Sequence, residues 1–167
     1  HIKEHSSTRI FLDPQGILRY SEEGKIEHRK MEDTEKLISM CEIIKPNELE
    51  CKILTGYDPR EDYETPAKML KSWGPDIVII TIAEQGSVIY DGNEFFRIPA
   101  YAAQEMDATG AGDTYAAGFM YGLIRGYALP DCGIMGTAVA SVMIEHTGPA
   151  FPLTKSLALE RMQTIAK

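Results

Sequence analysis

The chain has 167 residues, 44% hydrophobic and 25% charged, and its 17 lysines and arginines against 25 aspartates and glutamates give a net charge of −8. This composition is that of a globular chain with one sizeable core, and it excludes an intrinsically disordered protein. The acidic balance, without a basic cluster, argues against nucleic-acid binding. The longest apolar run, residues 77–80, is far short of the ~20 residues that span a bilayer, so no membrane role is expected.

The cysteines give the expected compartment. Cys41, Cys51 and Cys132 are an odd number, and their spacing does not match a metal site. This pattern predicts reduced thiols and a cytoplasmic protein.

The first half of the chain predicts short strands between helices. Apolar spacing, turn residues and helix caps define these elements. In chain order they are a strand over 9–12, a polar loop or weak hairpin over 18–30, a helix over 32–40, a brief strand over 43–45, a helix from the N-cap Asn47 to Thr55, and a helix over 65–73.

The second half begins with a β-branched run at residues 76–81 that predicts a strand buried on both faces. Two further strands flank Asp91-Gly92-Asn93, a hairpin signal. Three helices follow a glycine-rich turn at 107–113. The predicted strands are 86–90 and 94–98, the predicted helices are 113–125, 129–146 and 155–166, and the predicted helical core stripe is Met120, Leu123, Met135, Val139, Val142 and Met143. Strands alternating with helices indicate an α/β fold with a parallel component.

The turn into the first of these helices carries the most informative chemistry. Gly110-Ala111-Gly112 permits a sharp turn, and a helix N-terminus aims free amides and a positive dipole end at an anion. Asp113 then has two interpretations, a helix N-cap or a general base that deprotonates an attacking hydroxyl. The glycines alone also fit a plain tight turn.

Four segments in the same order as in one known family sharpen this interpretation. Residues 107–119 resemble the second signature of the ribokinase (PfkB) family of carbohydrate and nucleoside kinases. Residues 45–50 resemble its Asn-x-x-Glu motif, residues 81–87 its nucleotide-side loop, and residues 12–14 an earlier strand end that opens on its active-site cleft. The resemblance implies a ribokinase-like, three-layer αβα fold.

The resemblance implies that Asp113 is the base that deprotonates a hydroxymethyl group of the acceptor. The amides of Gly110, Ala111 and Gly112 form an anion hole for the γ-phosphoryl group of ATP, whose developing charge fixed donors stabilise. The activity implied is phosphoryl transfer from ATP to a primary hydroxyl of a sugar, sugar acid or nucleoside.

The resemblance also implies the donor side. Asn47, Thr81, Gly86 and Gly112 bind the nucleotide, and Glu50 helps to hold Mg²⁺ through water, an arrangement that suits the ion's preference for oxygen ligands. Taken alone, Asn47 is an N-cap and Glu50 a solvated acid in the first helical turn. The chain departs from the pattern at Ala83, where the family commonly has glycine.

Asp107 and Thr109 correspond to positions that bind a monovalent cation such as K⁺ in some members. The alternative for Asp107 is a turn residue that accepts a hydrogen bond from its own backbone.

The resemblance covers only the C-terminal half of the family's fold. Residues 1–167 are therefore expected to be the C-terminal, nucleotide-binding and catalytic part of one ribokinase-like domain. The N-terminal half and its β lid are its missing partner, and the chain alone is expected to be inactive. Lid-to-lid pairing is the family's usual route to dimers, and because the lid belongs to the part that is expected to be missing, the oligomeric state, including a homodimer, stays open.

Two other hypotheses stay open. One is a nucleotide-binding or regulatory relative without catalysis, and the other is an interaction module with glycine-rich turns.

Overall fold

The computed structural model describes residues 9–22 and 24–166, which fold as two compact units. The first unit consists of the chain up to Ile82 together with Tyr90–Phe95, and the second of Ala83–Ile89 together with the chain from Phe96. Predictions for the first eight residues, Glu23 and Lys167 lie outside the described residues.

Short strands and helices alternate in the first unit. In chain order its elements are β1 Phe11–Leu12, a 3₁₀ turn Pro14–Leu18, β2 Arg19–Glu22, β3 Lys25–His28, α1 Thr34–Ile38, β4 Ile43–Ile44, α2 Glu48–Thr55, α3 Glu64–Ser72 and β5 Ile77–Thr81.

Three parallel strands form the centre of this unit, in the order β1, β4, β5. Leu12 pairs with Ile44, and Ile44 pairs with Val78, so the three strands end at one edge. Val78, Ile79 and Ile80 are fully buried, which confirms a strand covered on both faces. The predicted weak hairpin is β2 paired antiparallel with β3.

The second unit is mostly helical. Its elements are a 3₁₀ turn Ala83–Gln85, the adjacent strands β6 Ser87–Tyr90 and β7 Phe95–Ile98, and the helices α4 Ala111–Ile124, α5 Leu129–Ile144 and α6 Lys155–Ile165. The residues from Tyr90 to Phe95, at the turn between β6 and β7, belong to the first unit. None of the helices described here combines the length and apolar character needed to cross a membrane.

Small residues let α4 and α5 approach closely. A Cβ on Gly118 would come within 2.8 Å of the Met135 carbonyl oxygen, and one on Gly122 within 3.0 Å of Cys132. The predicted core stripe is wrong at Met120, which is 38% exposed. Because α4 turns about 100° per residue, Met120 lies opposite the face that carries the two glycines.

Arg161 joins α6 to α5. Its guanidinium is buried and donates to Ser141 Oγ at 2.9 Å and to Glu145 Oε2 at 2.6 Å. It also lies over the Tyr101 ring, 4.6 Å from the centroid. These contacts offset part of the cost of burying the cation, while its Nε is buried without a hydrogen-bond partner among the described residues.

Gly86 shows a position where only glycine fits. It has φ of +85°, and a Cβ there would overlap the Ile98 carbonyl oxygen and come within 2.7 Å of the Ala100 nitrogen. We expect Gly86→Ala to lower the free energy of unfolding by about 2–4 kcal/mol, because left-handed strain and overlap add. Urea unfolding measures this change.

The matched control is Gly126→Ala in the same unit. Gly126 has φ of +74°, and a Cβ added there would have no atom within 4 Å. Gly126→Ala therefore adds only backbone strain, about 1 kcal/mol. Equal losses for the two variants would contradict the packing explanation.

Candidate active site

The N-terminus of α4 is built on a left-handed glycine. Gly110 is the N-cap, with φ of 90°, and no side chain caps the helix. The helix begins at Ala111, two residues earlier than the sequence predicts. A capping side chain normally accepts a hydrogen bond from one of the free amides at a helix start. No described side chain does so at the start of α4.

The amides of this turn are not equivalent. The Ala111 amide donates to the Ala108 carbonyl oxygen at 3.1 Å, which differs from the expectation of three free amides. Left-handed backbone at Gly110 tightens the turn and brings these two groups together. Within the described chain, the Gly110 and Gly112 amides have no backbone acceptor, so two of the three predicted donors are open to an anion.

Asp113 is the third residue of α4, and its side chain is exposed. It makes no hydrogen bond or ion pair with the residues that the structure describes. The interpretation of Asp113 as an N-cap is therefore wrong. Its carboxylate lies exposed beside the positive end of the helix dipole, without a partner among the described residues.

Asp107 shapes the turn before α4. Its Oδ1 accepts a hydrogen bond from the Thr109 amide at 2.9 Å, which confirms the turn-forming interpretation. That bond, together with the Thr109 side chain, holds the pKa of Asp107 below its usual range. Its role as a cation ligand, with Thr109, stays a prediction.

In the first unit, Asn47 and Glu50 form a reciprocal cap at the start of α2. Asn47 Oδ1 accepts from the Glu50 amide at 2.9 Å, and the Asn47 amide donates to Glu50 Oε2 at 2.9 Å. The N-cap prediction is confirmed, but Glu50 is 5% exposed and not a solvated acid. Burial raises its pKa, and the bond from Asn47 opposes that shift.

Thr81, at the end of β5, lies beside Asn47. Its amide donates to the Pro46 carbonyl oxygen at 3.1 Å, and a parallel bridge links Thr81 to Asn47. The structure thus brings together three of the predicted donor-side residues, Asn47, Glu50 and Thr81, at the carboxyl ends of parallel strands, where α/β folds bind ligands.

The loop after Thr81 belongs to the second unit from Ala83 onward. Ala83 has φ of 41°, the left-handed value for which the family uses glycine, and no other non-glycine residue among those described has positive φ. The side chain therefore costs some strain. Gly86 needs to be glycine because it packs against the end of β7, and its contact with a nucleotide stays a prediction.

The sequence reasoning missed an ion pair at the same strand ends. Lys45 follows β4 and is 2% exposed, and its Nζ lies 2.7 Å from Oδ2 of Asp13, which follows β1 and is 27% exposed. The Lys45 amide also donates to the Leu12 carbonyl oxygen. A lysine directly after an apolar strand was the available signal, because such a position is buried and needs a carboxylate.

The predicted residues thus form two groups. Asn47, Glu50 and Thr81 lie in the first unit with the Asp13–Lys45 pair, while the other predicted residues belong to the second unit. These second-unit residues are Gly86, Asp107, Thr109, Gly110, Ala111, Gly112 and Asp113.

Lys45 is buried and Asp13 is partly exposed, so removing one charge should lower the free energy of unfolding by a different amount from removing the other. We expect Asp13→Asn to lower the free energy of unfolding by about 3 kcal/mol, because it leaves a buried ammonium without a counter-ion. Lys45→Met, which leaves a carboxylate that water reaches, should cost about 1 kcal/mol. Urea unfolding of both variants and of the double variant measures the difference.

The double variant is the control, since it removes both charges and should be more stable than Asp13→Asn alone. A larger loss for Lys45→Met than for Asp13→Asn would contradict this account of the pair.

Comparison with known proteins identifies the family to which this chain belongs. Residues 10–156 match the pfkB family carbohydrate kinases. The chain is 36% identical to a cytidine kinase of Thermococcus kodakarensis over 115 residues, 68% of this chain and 40% of that protein. It superposes with a TM-score of 0.77 and 28% identity on a pyrophosphate-dependent kinase of the ribokinase family solved with a pyrophosphate analogue and myo-inositol, covering 94% of this chain and 53% of that one.

Another solved structure, Arabidopsis thaliana ribokinase with ribose and ATP, matches with a TM-score of 0.71 and 26% identity over 78% of this chain and 42% of that one. The chain therefore spans about half the length of the proteins it matches, or somewhat less. The fold is ribokinase-like, as the sequence predicts, and the chain belongs to the pfkB family of carbohydrate kinases.

Proposed function

We propose that this chain carries the phosphoryl-transfer machinery of a kinase that moves the terminal phosphoryl group of its donor to a primary hydroxyl of a sugar, sugar acid or nucleoside. Asp113 is the general base. It accepts the proton of the acceptor hydroxyl as that oxygen attacks the phosphorus atom and the bond to the donor's leaving oxygen breaks.

One observation supports this proposal. Among the described residues, the exposed carboxylate of Asp113 has no partner, and it lies one residue after the open amide of Gly112 and three after that of Gly110. A donor amide aimed at the developing charge stabilises a transition state by about 3–4 kcal/mol in the acyl-transfer precedent. Two open amides and the helix dipole therefore supply a substantial part of the catalysis.

The residues of the first unit fit the donor side. Glu50 commits Oε2 to the cap of α2, which leaves Oε1 for a water molecule on Mg²⁺. Among the described residues, no group of three or more histidine, cysteine, aspartate or glutamate side chains is arranged to hold a metal ion. Mg²⁺ does not need such a group, because it retains water and binds the donor's phosphates. When bound, Mg²⁺ neutralises charge on the phosphates, and Asn47 and Thr81 contact the donor beside it.

The donor has two candidates. ATP is the first, as the family resemblance implies and as in the ribokinase solved with ribose and ATP. Pyrophosphate is the second, because a kinase that superposes over 94% of this chain depends on it. We assign K⁺ no step, since the Asp107 carboxylate already accepts a hydrogen bond from the Thr109 amide.

The test of the base is Asp113→Asn. The assay uses a chimaera in which this chain replaces the matched part of the Thermococcus kodakarensis cytidine kinase, with a panel of nucleosides, sugars and inositol as acceptors. We expect kcat to fall by a factor of about 10²–10⁴, with donor affinity unchanged within twofold.

Asp131→Asn is the matched control, since Asp131 is also the third residue of its helix, α5, and exposed. It loses the same interaction with a helix dipole and should leave kcat unchanged. If Asp113→Asn retains full turnover, the general base is elsewhere, and a purely nucleotide-binding role for this turn becomes the better account.

The donor side is tested with Glu50→Gln. Glutamine keeps the cap of α2 because its oxygen also accepts from the Asn47 amide, so stability should change by less than about 1 kcal/mol. Removing the charge should weaken Mg²⁺-dependent binding of the donor by roughly 10–100-fold. Calorimetric titration with ATP and with pyrophosphate, each with and without Mg²⁺, measures this effect and identifies the donor.

Glu48→Gln is the control for a carboxylate in the same helical turn, since Glu48 pairs with Arg60 at the surface. Equal weakening by both variants would place the effect in the overall charge of α2 and not in a contact of Glu50 with the metal.

A further inference from the structure

A buried hydrogen bond ties the start of α4 to the first residue of β6. Tyr115 is the fifth residue of α4, and its hydroxyl lies 2.8 Å from the hydroxyl of Ser87. The two residues are 5% and 2% exposed, and both belong to the second unit. The bond therefore joins two segments that carry predicted site residues, Gly86 in one and Asp113 in the other.

Both partners of this bond are held by their surroundings. A Cβ on Gly136 of α5 would come within 2.9 Å of the Tyr115 carbonyl oxygen and within 3.1 Å of its ring. The ring of Phe119, one turn further along α4, is stacked with the Tyr115 ring at 6.4 Å between centroids. Ser87 follows Gly86, which packs against the end of β7. The hydroxyl pair thus sets the spacing of two segments that have little freedom to move.

The hydroxyl groups are not needed to fill the core, because phenylalanine and alanine would leave the packing at these positions nearly the same. Replacing both partners of a buried hydrogen bond by apolar groups changes stability little, whereas one hydroxyl left without its partner is costly. A satisfied buried bond instead specifies one arrangement of the groups that it joins. Burial also raises the pKa of the Tyr115 phenol, so the hydroxyl stays protonated near neutral pH.

The position of Tyr115 determines the direction of Asp113. The two residues are two positions apart on α4, or about 200° around the helix axis, which agrees with Tyr115 being buried and Asp113 exposed. At the outer radius of a helix, about 5–6 Å, a rotation of 10° moves a carboxylate by about 1 Å. A misplacement of this size can lower the rate of an enzyme by about 10²-fold.

We propose that Tyr115 is a positioning residue for phosphoryl transfer. Its bond to Ser87 fixes the rotation of α4 relative to the loop over residues 83–87, and that rotation sets the direction of Asp113 and of the Gly112 amide. Tyr115 touches neither donor nor acceptor in this account and acts through the helix. The inference rests on the proposed function, because it assigns the bond to the reaction in which Asp113 is the base.

Tyr115→Phe removes the hydroxyl and keeps the ring. In the chimaera with the Thermococcus kodakarensis cytidine kinase, we expect kcat to fall by a factor of about 10–100, with KM for donor and acceptor changed by less than threefold. Tyr121→Phe is the matched control, because it removes the same group from the same helix and no described residue hydrogen-bonds to its hydroxyl. It should change kcat by less than twofold.

Ser87→Ala and the double variant with Tyr115→Phe separate positioning from stability. Each single variant leaves one buried hydroxyl without a partner, so the urea midpoint of the free chain should fall by about 0.5–1 M. The double variant leaves none, and its midpoint should return close to that of the wild type. Its kcat should stay as low as that of Tyr115→Phe, because the bond is still absent. Recovery of kcat together with stability would show a structural role and overturn the proposal.

A cycle with Asp113→Asn tests the path through the carboxylate. If Tyr115 acts by directing Asp113, adding Tyr115→Phe to Asp113→Asn should lower kcat by less than a further threefold. Losses that multiply in full would mean that Tyr115 acts through another group, and the assignment would then be wrong.

Hydrogen exchange of the free chain tests the same coupling without turnover. Tyr115→Phe and the double variant should speed exchange of the amides at residues 86–87 and 114–115 at least fivefold, and leave those at 121–124 unchanged. Unchanged exchange near Asp113 would overturn the inference.

The kinetic results distinguish this inference from the proposed function. Full kcat in Tyr115→Phe, with Asp113→Asn impaired, would refute the positioning role alone. Full kcat in Asp113→Asn would refute the general base, and the positioning role with it.

Discussion

The left-handed backbone of Gly110 is the constraint on which the proposed chemistry of this protein depends. It starts α4 without a side-chain cap, so amides that a serine or aspartate normally satisfies remain open. It also leaves Asp113, the third residue of the helix, without a capping hydrogen bond. The same backbone conformation thus accompanies two amides without a backbone acceptor and, among the described residues, a carboxylate without a partner. The proposed anion site and general base depend on these features.

In the first unit, the polar side chains that follow the buried strands are paired with one another. Lys45 and Asp13 neutralise one another across β4 and β1, and Asn47 and Glu50 satisfy one another across the first turn of α2. Each pair removes the cost of burying an unpaired polar group. Among the described residues, these pairs do not use Oε1 of Glu50 or the side chain of Thr81. These are therefore the groups at this edge that can contact a ligand.

The sequence predicts the elements well, because buried strands and capped helices leave local signals. The strand at 77–81, the Asn47 cap and the Gly56 end of α2 all follow from residue type and spacing. The site is predicted less completely. That the Ala111 amide bonds to Ala108 and that Lys45 reaches Asp13 depend on turn geometry and strand pairing, which local spacing does not record. Met120 fails for a related reason, since apolar spacing identifies a helix but not how wide its buried face is.

The buried cysteines have a practical consequence. Cys51 is fully buried in the first unit and Cys132 in the second, and burial raises the pKa of the first to about 12 and of the second to about 11. Only thiolates react readily with alkylating reagents, so neither thiol is labelled until its own surroundings open. With Cys41, which is also buried, the first unit contains two buried thiols and the second unit contains one. Timed alkylation, with the labelled peptides identified, can therefore show whether the two units open together or one before the other.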